Sequence, residues 1–194
     1  MVKRRSAVAL LVFVWVVCGA AFPGSPGKKQ KVSGEVAVVD TNMGRITFRF
    51  FEKESPRTAK RFKDLARAGY FDETVVSRIM PGLLIQLGAL EEGVTKPRPA
   101  VETLQVEASP LKHGRGTVSS IREMPAAEGG IGFFIALQAI NYYDGRYTIF
   151  GEVISGMEVV NAISNVPRNM KAAPLFAVRI RKVSIETQDY FVGR

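Results

Sequence analysis

The chain has 194 residues, enough for one domain with a substantial core and too few for two ordinary domains. Its hydrophobic content of 46% and charged content of 23% are those of a folded soluble domain and exclude a largely disordered chain. The net charge of +9 is scattered and forms no basic stripe interleaved with aromatic residues, so we expect no nucleic-acid binding.

Residues 1–21, here called the leader, have the pattern of a secretory signal peptide. Basic residues at positions 3–5 precede an apolar run shorter than the ~20 residues of a membrane-spanning helix, and small residues follow it. We expect cleavage after these small residues and export to the periplasm or the cell exterior. The alternatives are an uncleaved anchor that tethers the domain to the membrane through residues 7–22, and lipid attachment at Cys18.

Cys18 is the only cysteine of the chain, and it lies within the leader. The mature domain would therefore have no thiol, which excludes an internal disulfide, cysteine catalysis and cysteine-based metal sites. Residues 22–34 are rich in glycine, proline, serine and lysine and predict a flexible linker. The folded domain is expected to cover residues 35–194.

This domain begins with an expected hairpin and a helix. The β-branched run 36–41 and the alternating run 45–50 flank an Asn-Met-Gly turn signal. For the helix, Ser55 can act as the cap, Pro56 suits the first helical position and Gly69 can end it. Its apolar stripe is expected to pack against the core.

Short apolar runs of strand length make up most of the remaining chain. Turn residues separate them, and a second helix is predicted over residues 157–164. The expected strands cover residues 74–80, 83–87, 116–120, 133–137, 147–153 and 178–185. Many short strands with two helices predict a mainly β fold, a closed antiparallel barrel capped by the helices. Residues 89–115 are broken by prolines and predict a surface excursion.

Familiar catalytic layouts are missing from the sequence. It has no serine nucleophile elbow, no phosphate-binding glycine loop and no paired-histidine metal motif. The single histidine, His113, lies in a Lys-His-Gly-Arg context and is expected at the surface, not as a metal ligand or a base. The protein therefore either does no covalent chemistry or does chemistry that needs no nucleophile.

Several segments resemble the cyclophilin family in the same order along the chain. They are the Ser-Pro-Arg-Thr start of the first helix, Gly69-Tyr70-Phe71-Asp72, Arg78 with Pro81-Gly82 and Gln86, Arg115-Gly116-Thr117, Phe133-Phe134-Ile135 and Asp144-Gly145-Arg146-Tyr147-Thr148. The similarity covers residues 36–185, and two of the segments are similar to bacterial members.

The resemblance implies an eight-stranded barrel and a peptidyl-prolyl cis–trans isomerase that assists the folding of exported proteins. Its partners would be polypeptides that contain X-Pro bonds. No cofactor and no metal is implied, because the isomerisation makes and breaks no covalent bond. We expect a monomer.

The resemblance also implies roles for single residues. Arg78 matches the family's catalytic arginine, Gln86 a residue that hydrogen-bonds the substrate backbone, and Phe134 the floor of the proline pocket. Further positions of the pocket, its neighbouring groove and its rim match Leu83, Leu84, Ile121, Tyr142, Tyr143 and Tyr147. Without this context, Arg78 would be interpreted as a strand arginine in a surface salt bridge and the apolar residues as ordinary core.

Some positions depart from the family pattern. Leu83 stands where phenylalanine is usual, and Gly132 stands where glutamine is typical. Ile121 replaces a small alanine, and Tyr142 stands where many members have tryptophan. The changes at Leu83, Ile121 and Gly132 leave open a second hypothesis, a binding module with a proline groove and little or no catalysis. A membrane-tethered scaffold, which rests on the uncleaved-anchor alternative, is a third.

Overall fold

The computed structural model describes residues 29–90, 104–121 and 132–192, so the leader and residues 91–103 of the predicted excursion lie outside the described residues. Helix α1 (Pro56–Arg67) lies between the second and third strands, and α2 (Met157–Ser164) lies between the last two. The strands are β1 (Gln30–Thr41), β2 (Gly44–Phe50), β3 (Thr74–Met80), β4 (Leu84–Ala89), β5 (Thr117–Ser120), β6 (Phe133–Ala136), β7 (Ile149–Ser155) and β8 (Arg179–Val192).

The strands close into an antiparallel barrel in the order β1-β2-β7-β5-β6-β4-β3-β8, with β8 paired to β1. This confirms the predicted mainly β, closed barrel with two helices. Closure satisfies the backbone groups that an open sheet would leave at its edges. Strand β1 begins at Gln30, so residues 30–34 are paired with residues 188–192 of β8 and do not belong to the linker expected from their composition. Their partners lie at the other end of the chain, so the composition of residues 30–34 gives no signal of this pairing.

Aromatic rings fill the interior of the barrel. Phe48 meets Phe62 and Phe150 edge-on, with ring centroids 5.3 and 5.9 Å apart. Phe62 comes from the apolar stripe of α1 and stacks on Phe71 at 4.7 Å. Edge-on and offset arrangements are those that aromatic rings prefer. The stripe of α1 therefore packs against the core, as predicted.

The amino terminus of α1 is capped by Glu107, not by Ser55. The Ser55 hydroxyl donates to the Phe51 carbonyl instead. The carboxylate of Glu107 accepts hydrogen bonds from the backbone N–H groups of Arg57 (3.1 Å) and Thr58 (2.8 Å). Burial alone would raise the pKa of the Glu107 carboxyl, but the bonds from Thr58 and Arg57 prevail and lower it. Part of the predicted surface excursion is thus fastened to the helix.

We expect Glu107→Gln to lower the free energy of unfolding by ~1–2 kcal/mol at pH 7, because a charged cap is replaced by a neutral amide. Denaturant unfolding measures this loss. Because the pKa of Glu107 is lowered in the folded state, the difference should shrink as the pH falls below about 4.5 and the carboxyl is protonated. The control is Glu73→Gln at an exposed carboxylate, and equal stability of the two variants at pH 7 would contradict the cap.

Candidate active site

A β-bulge in β3 turns Arg78 to the outside of the barrel. Val76 is buried in the core, so strict alternation along the strand would point Arg78 inward as well. The register shifts between Val76 and Arg78, which leaves Ser77 as an additional residue. Arg78 is therefore exposed on the outer face, and the next residue, Ile79, points into the core again.

Arg78, Gln86 and Phe134 form one row across three neighbouring strands. Arg78 pairs with Gln86 of β4, which pairs with Phe134 of β6. Residues paired in this way share a face of the sheet, with Cβ atoms ~4.5–5.5 Å apart. Neither the Arg78 guanidinium nor the Gln86 amide has a side-chain hydrogen bond or ion pair with another described residue. The salt-bridge interpretation of Arg78 therefore finds no partner in the described ranges.

An apolar cluster lies beside this row on the outer face of the barrel. The alternation of side chains along β6 produces this cluster. Phe133 and Ile135 point into the core. Phe134 and Ala136 point outward and are nevertheless buried. Leu84 and Ile140 complete the buried part of this outer cluster. The half-buried side chains packed against it are Met80, Leu83, Ile121, Tyr143 and Tyr147.

Aromatic rings surround Phe134 on several sides. Tyr143 and Tyr147 meet it edge-on, with centroids 5.7 and 5.5 Å away. Tyr142 is 68% exposed and carries the Arg146 guanidinium 4.1 Å above its ring, so it lies at the rim and outside the outer cluster. The structure thus brings the predicted pocket residues together and places Tyr142 at their edge. The sequence interpretation missed Met80 and Ile140, which both contribute to the outer cluster.

His113 is 1% exposed, so the expectation of a surface histidine was wrong. Its ring stacks on Phe134 at 5.9 Å, and its Nδ1 lies 3.0 Å from Oδ1 of Asp144. The same oxygen accepts the backbone N–H of His113 at 2.8 Å. Burial lowers the pKa of the His113 imidazole, although Asp144 acts in the opposite direction. The prediction failed because Asp144 is 31 residues away in sequence and is brought close only by the fold.

We expect the free energy of unfolding to fall between pH 7 and pH 5. The unfolded chain protonates its histidine near pH ~6.5, whereas His113 in the folded state stays neutral to lower pH. Stability is therefore lost as the pH falls from about 6.5 through the folded pKa, by at most ~1.4 kcal/mol per pH unit.

Urea unfolding at several pH values measures this slope. The chain has a single histidine, so His113→Asn, which retains a donor for Asp144 but does not titrate, should flatten the curve in this range. An equally steep curve for the variant would assign the slope to other groups.

Two of the departures from the family pattern meet at the edge of the outer cluster. A Cβ atom at Gly132 would lie 2.8 Å from the carbonyl oxygen of Leu87 and 2.9 Å from Cδ1 of Ile121. Both distances are too short for an ordinary contact. Ile121 and the Leu87 backbone therefore occupy the space that a side chain at position 132 would need.

The described residues bring together the Arg78 guanidinium, the Gln86 amide and the apolar outer cluster at this site. Within these ranges, no group of three or more His, Cys, Asp or Glu side chains could hold a metal ion. None of the helices described is long and apolar enough to cross a membrane.

Comparison with known proteins identifies the family. Residues 36–185 match the family described as "Cyclophilin type peptidyl-prolyl cis-trans isomerase/CLD". The chain belongs to the cyclophilin family. The match includes all three residues of the row and the whole outer cluster. This cyclophilin is therefore a peptidyl-prolyl cis–trans isomerase.

Relatives from several organisms share most of their length with this cyclophilin. A "Peptidyl-prolyl cis-trans isomerase-like 1" of Aspergillus niger is 33% identical over 155 residues, which cover 77% of this chain and 95% of that protein. A peptidyl-prolyl cis-trans isomerase of Acinetobacter baylyi is 28% identical over 159 residues, 76% of this chain and 85% of that protein. The crystal structure of a Cryptosporidium parvum cyclophilin in the presence of the dipeptide Ala-Pro has a TM-score of 0.69 at 25% identity, covering 79% of this chain and 99% of that chain.

Proposed function

We propose that this cyclophilin isomerises X-Pro bonds in exported proteins, with Arg78 as the catalytic residue and the outer cluster as the proline pocket. The observation that carries the proposal is the row on the outside of the barrel. It sets a guanidinium and an amide, both without partners among the described residues, beside a buried aromatic floor. A ligand with an apolar ring and a polar backbone fits this combination.

The chemistry of the reaction suits such a site. The barrier to rotation comes from amide resonance and is ~18–20 kcal/mol for a peptide bond. As the X-Pro bond twists, its nitrogen becomes pyramidal and its lone pair can accept a hydrogen bond. A donor that binds only this twisted state lowers the barrier selectively. Arg78 supplies a permanent charge and a fixed fork of donors, worth ~1.5–3 kcal/mol or about one to two decades in rate.

The neighbours of Arg78 would hold the substrate while the bond rotates. The ring of Phe134 forms the floor for the proline ring, and the edges of Tyr143 and Tyr147 enclose it. The Gln86 amide lies between floor and guanidinium and can hydrogen-bond the substrate backbone. Fixing one side of the bond leaves the other side free to turn, which is the positioning that this catalysis needs.

We expect Arg78→Ala to reduce kcat/KM on an X-Pro peptide tenfold or more, by about the worth of a charge-assisted hydrogen bond. The kcat/KM of Arg78→Lys should lie between those of the wild-type enzyme and Arg78→Ala, because lysine retains the charge but lacks the fork of donors. The matched control is Arg181→Ala, an exposed arginine of β8, which should leave turnover unchanged. Unchanged turnover of Arg78→Ala in a coupled isomerisation assay would contradict the role of Arg78.

A binding module with little catalysis is the second candidate function. Ile121 and Gly132 favour it. Ile121 packs on the outer cluster and, with the Leu87 backbone, occupies the space that a side chain at position 132 would need, so this position offers the substrate no side-chain donor. The binding module predicts affinity for proline-containing segments without rate enhancement. The same assay, combined with a direct binding measurement, separates the two functions.

Export is supported by the leader, with its basic start, apolar run and small-residue end. We expect the mature protein, expressed from the whole sequence in a bacterial host, to begin just after residue 20 or 21 and to be recovered outside the cytoplasm. Amino-terminal sequencing measures this. An intact Met1 on a membrane-bound protein would favour the tether through residues 7–22 instead.

A further inference from the structure

The loop between α2 and β8 runs beside the strand that carries Arg78. The backbone N–H of Val76 donates to the Val178 carbonyl (2.9 Å), and that of Ile79 donates to the Ala172 carbonyl (2.8 Å). The two contacts are three residues apart on β3 and six residues apart on the loop. The loop therefore has more residues between these two contacts than β3 has. Residues 173–177 form an arch next to the part of β3 that contains Ser77 and Arg78.

This loop is held in one shape by its own hydrogen bonds. Oδ1 of Asn169 accepts the backbone N–H groups of Lys171 and Ala173, and Leu175 donates to the Pro167 carbonyl. Ala172 has a φ of 63°, a conformation that residues other than glycine rarely adopt. Such a backbone persists only where the surroundings fix it. The side chains of the loop are thus presented by an ordered scaffold.

The loop exposes apolar side chains that the fold leaves uncovered. Among the described residues, three of the six exposed large hydrophobic side chains belong to it: Met170, Leu175 and Phe176. Phe176, the largest of the three side chains, is 76% exposed. Leu175 and Phe176 are consecutive residues, and Met170 lies in the same ordered loop. Exposed apolar residues that lie near one another mark interaction sites more often than scattered single ones do.

The position of the loop indicates its occupant. The order across the outer face is the loop, β3 with Arg78, β4 with Gln86 and β6 with Phe134. Neighbouring strands lie ~4.8 Å apart, so the loop is about 14 Å from the strand of Phe134. An extended polypeptide advances ~3.3 Å per residue. A substrate whose proline lies on Phe134 and whose chain follows the row would reach the loop about four residues from that proline.

We propose that Met170, Leu175 and Phe176 form a second contact surface for client polypeptides, which binds apolar side chains about four residues from the isomerised proline. This proposal rests on the proposed function, because the occupant is the substrate of the same site. Arg168 and Lys171, exposed in the same loop, disfavour cationic residues there. The surface would direct the enzyme to the apolar segments of unfolded clients.

Three peptides with one Ala-Pro centre test this surface. Two are long and carry leucine or serine three to five residues from the proline on both sides, and the third ends one residue beyond the proline. The wild-type enzyme should have a KM about tenfold lower for the leucine peptide than for the serine peptide. The double variant Leu175→Ser, Phe176→Ser should abolish this difference in KM. It should leave kcat for the long peptides and kcat/KM for the short peptide unchanged.

Phe191→Ser is the matched control, because Phe191 is similarly exposed (63%) on the distant β1–β8 ribbon and should leave the KM difference intact. Met170→Ser provides a second variant at a fully exposed position, should the double variant fail to fold. Equal KM values of the wild-type enzyme for the two long peptides would overturn the proposal. So would self-association or binding to anionic vesicles that depends on Phe176 while both peptides bind equally.

Failure of the proposed function would have a different signature. No isomerisation of the short peptide by the wild-type enzyme would refute catalysis. Calorimetric binding of the two long peptides would still decide whether the loop contacts apolar segments.

Discussion

The position of the Arg78 guanidinium depends on one additional residue in β3. Without the bulge at Ser77, the alternation of the strand would point a permanent charge into an apolar core, where its desolvation would be far too costly. With the bulge, the guanidinium reaches the outer face next to Gln86, and Val76 and Ile79 still contribute to the core. The same irregularity thus serves the stability of the barrel and the chemistry of the site.

The outer cluster forms because β6 is buried on both faces. The inward residues of β6 complete the core, whereas its outward residues are shielded from solvent by a cover of other side chains. The segment from Ile140 to Tyr147 supplies this cover and is fixed by the contacts of His113 with Asp144. Phe134 consequently lies among aromatic side chains that are already in place. Under the proposed function, little conformational entropy would remain to be lost when a proline ring binds.

Much of this architecture was predictable from the sequence, because it is encoded locally. The strand-length apolar runs, the Pro56 start of α1 and the turn at residues 42–44 are short-range signals. Most observed elements follow them closely, whereas β1 and β8 extend well beyond the expected runs. The features that were missed depend on residues far apart in the chain. Glu107 caps a helix that begins about fifty residues earlier, and the buried His113 finds its carboxylate in Asp144. The outward position of Arg78 was expected, but the bulge at Ser77 that produces it has no signal in the neighbouring residues.

The central claim is that the row of Arg78, Gln86 and Phe134 catalyses isomerisation and does not merely bind proline. Exchange NMR on an Ala-Pro peptide with a catalytic amount of the protein tests it most directly. The uncatalysed interconversion takes roughly tens to hundreds of seconds. We expect cross-peaks between the cis and trans signals within a mixing time of a second or less. Shifts that show binding, without any exchange cross-peaks, would contradict the claim and identify a proline-binding module.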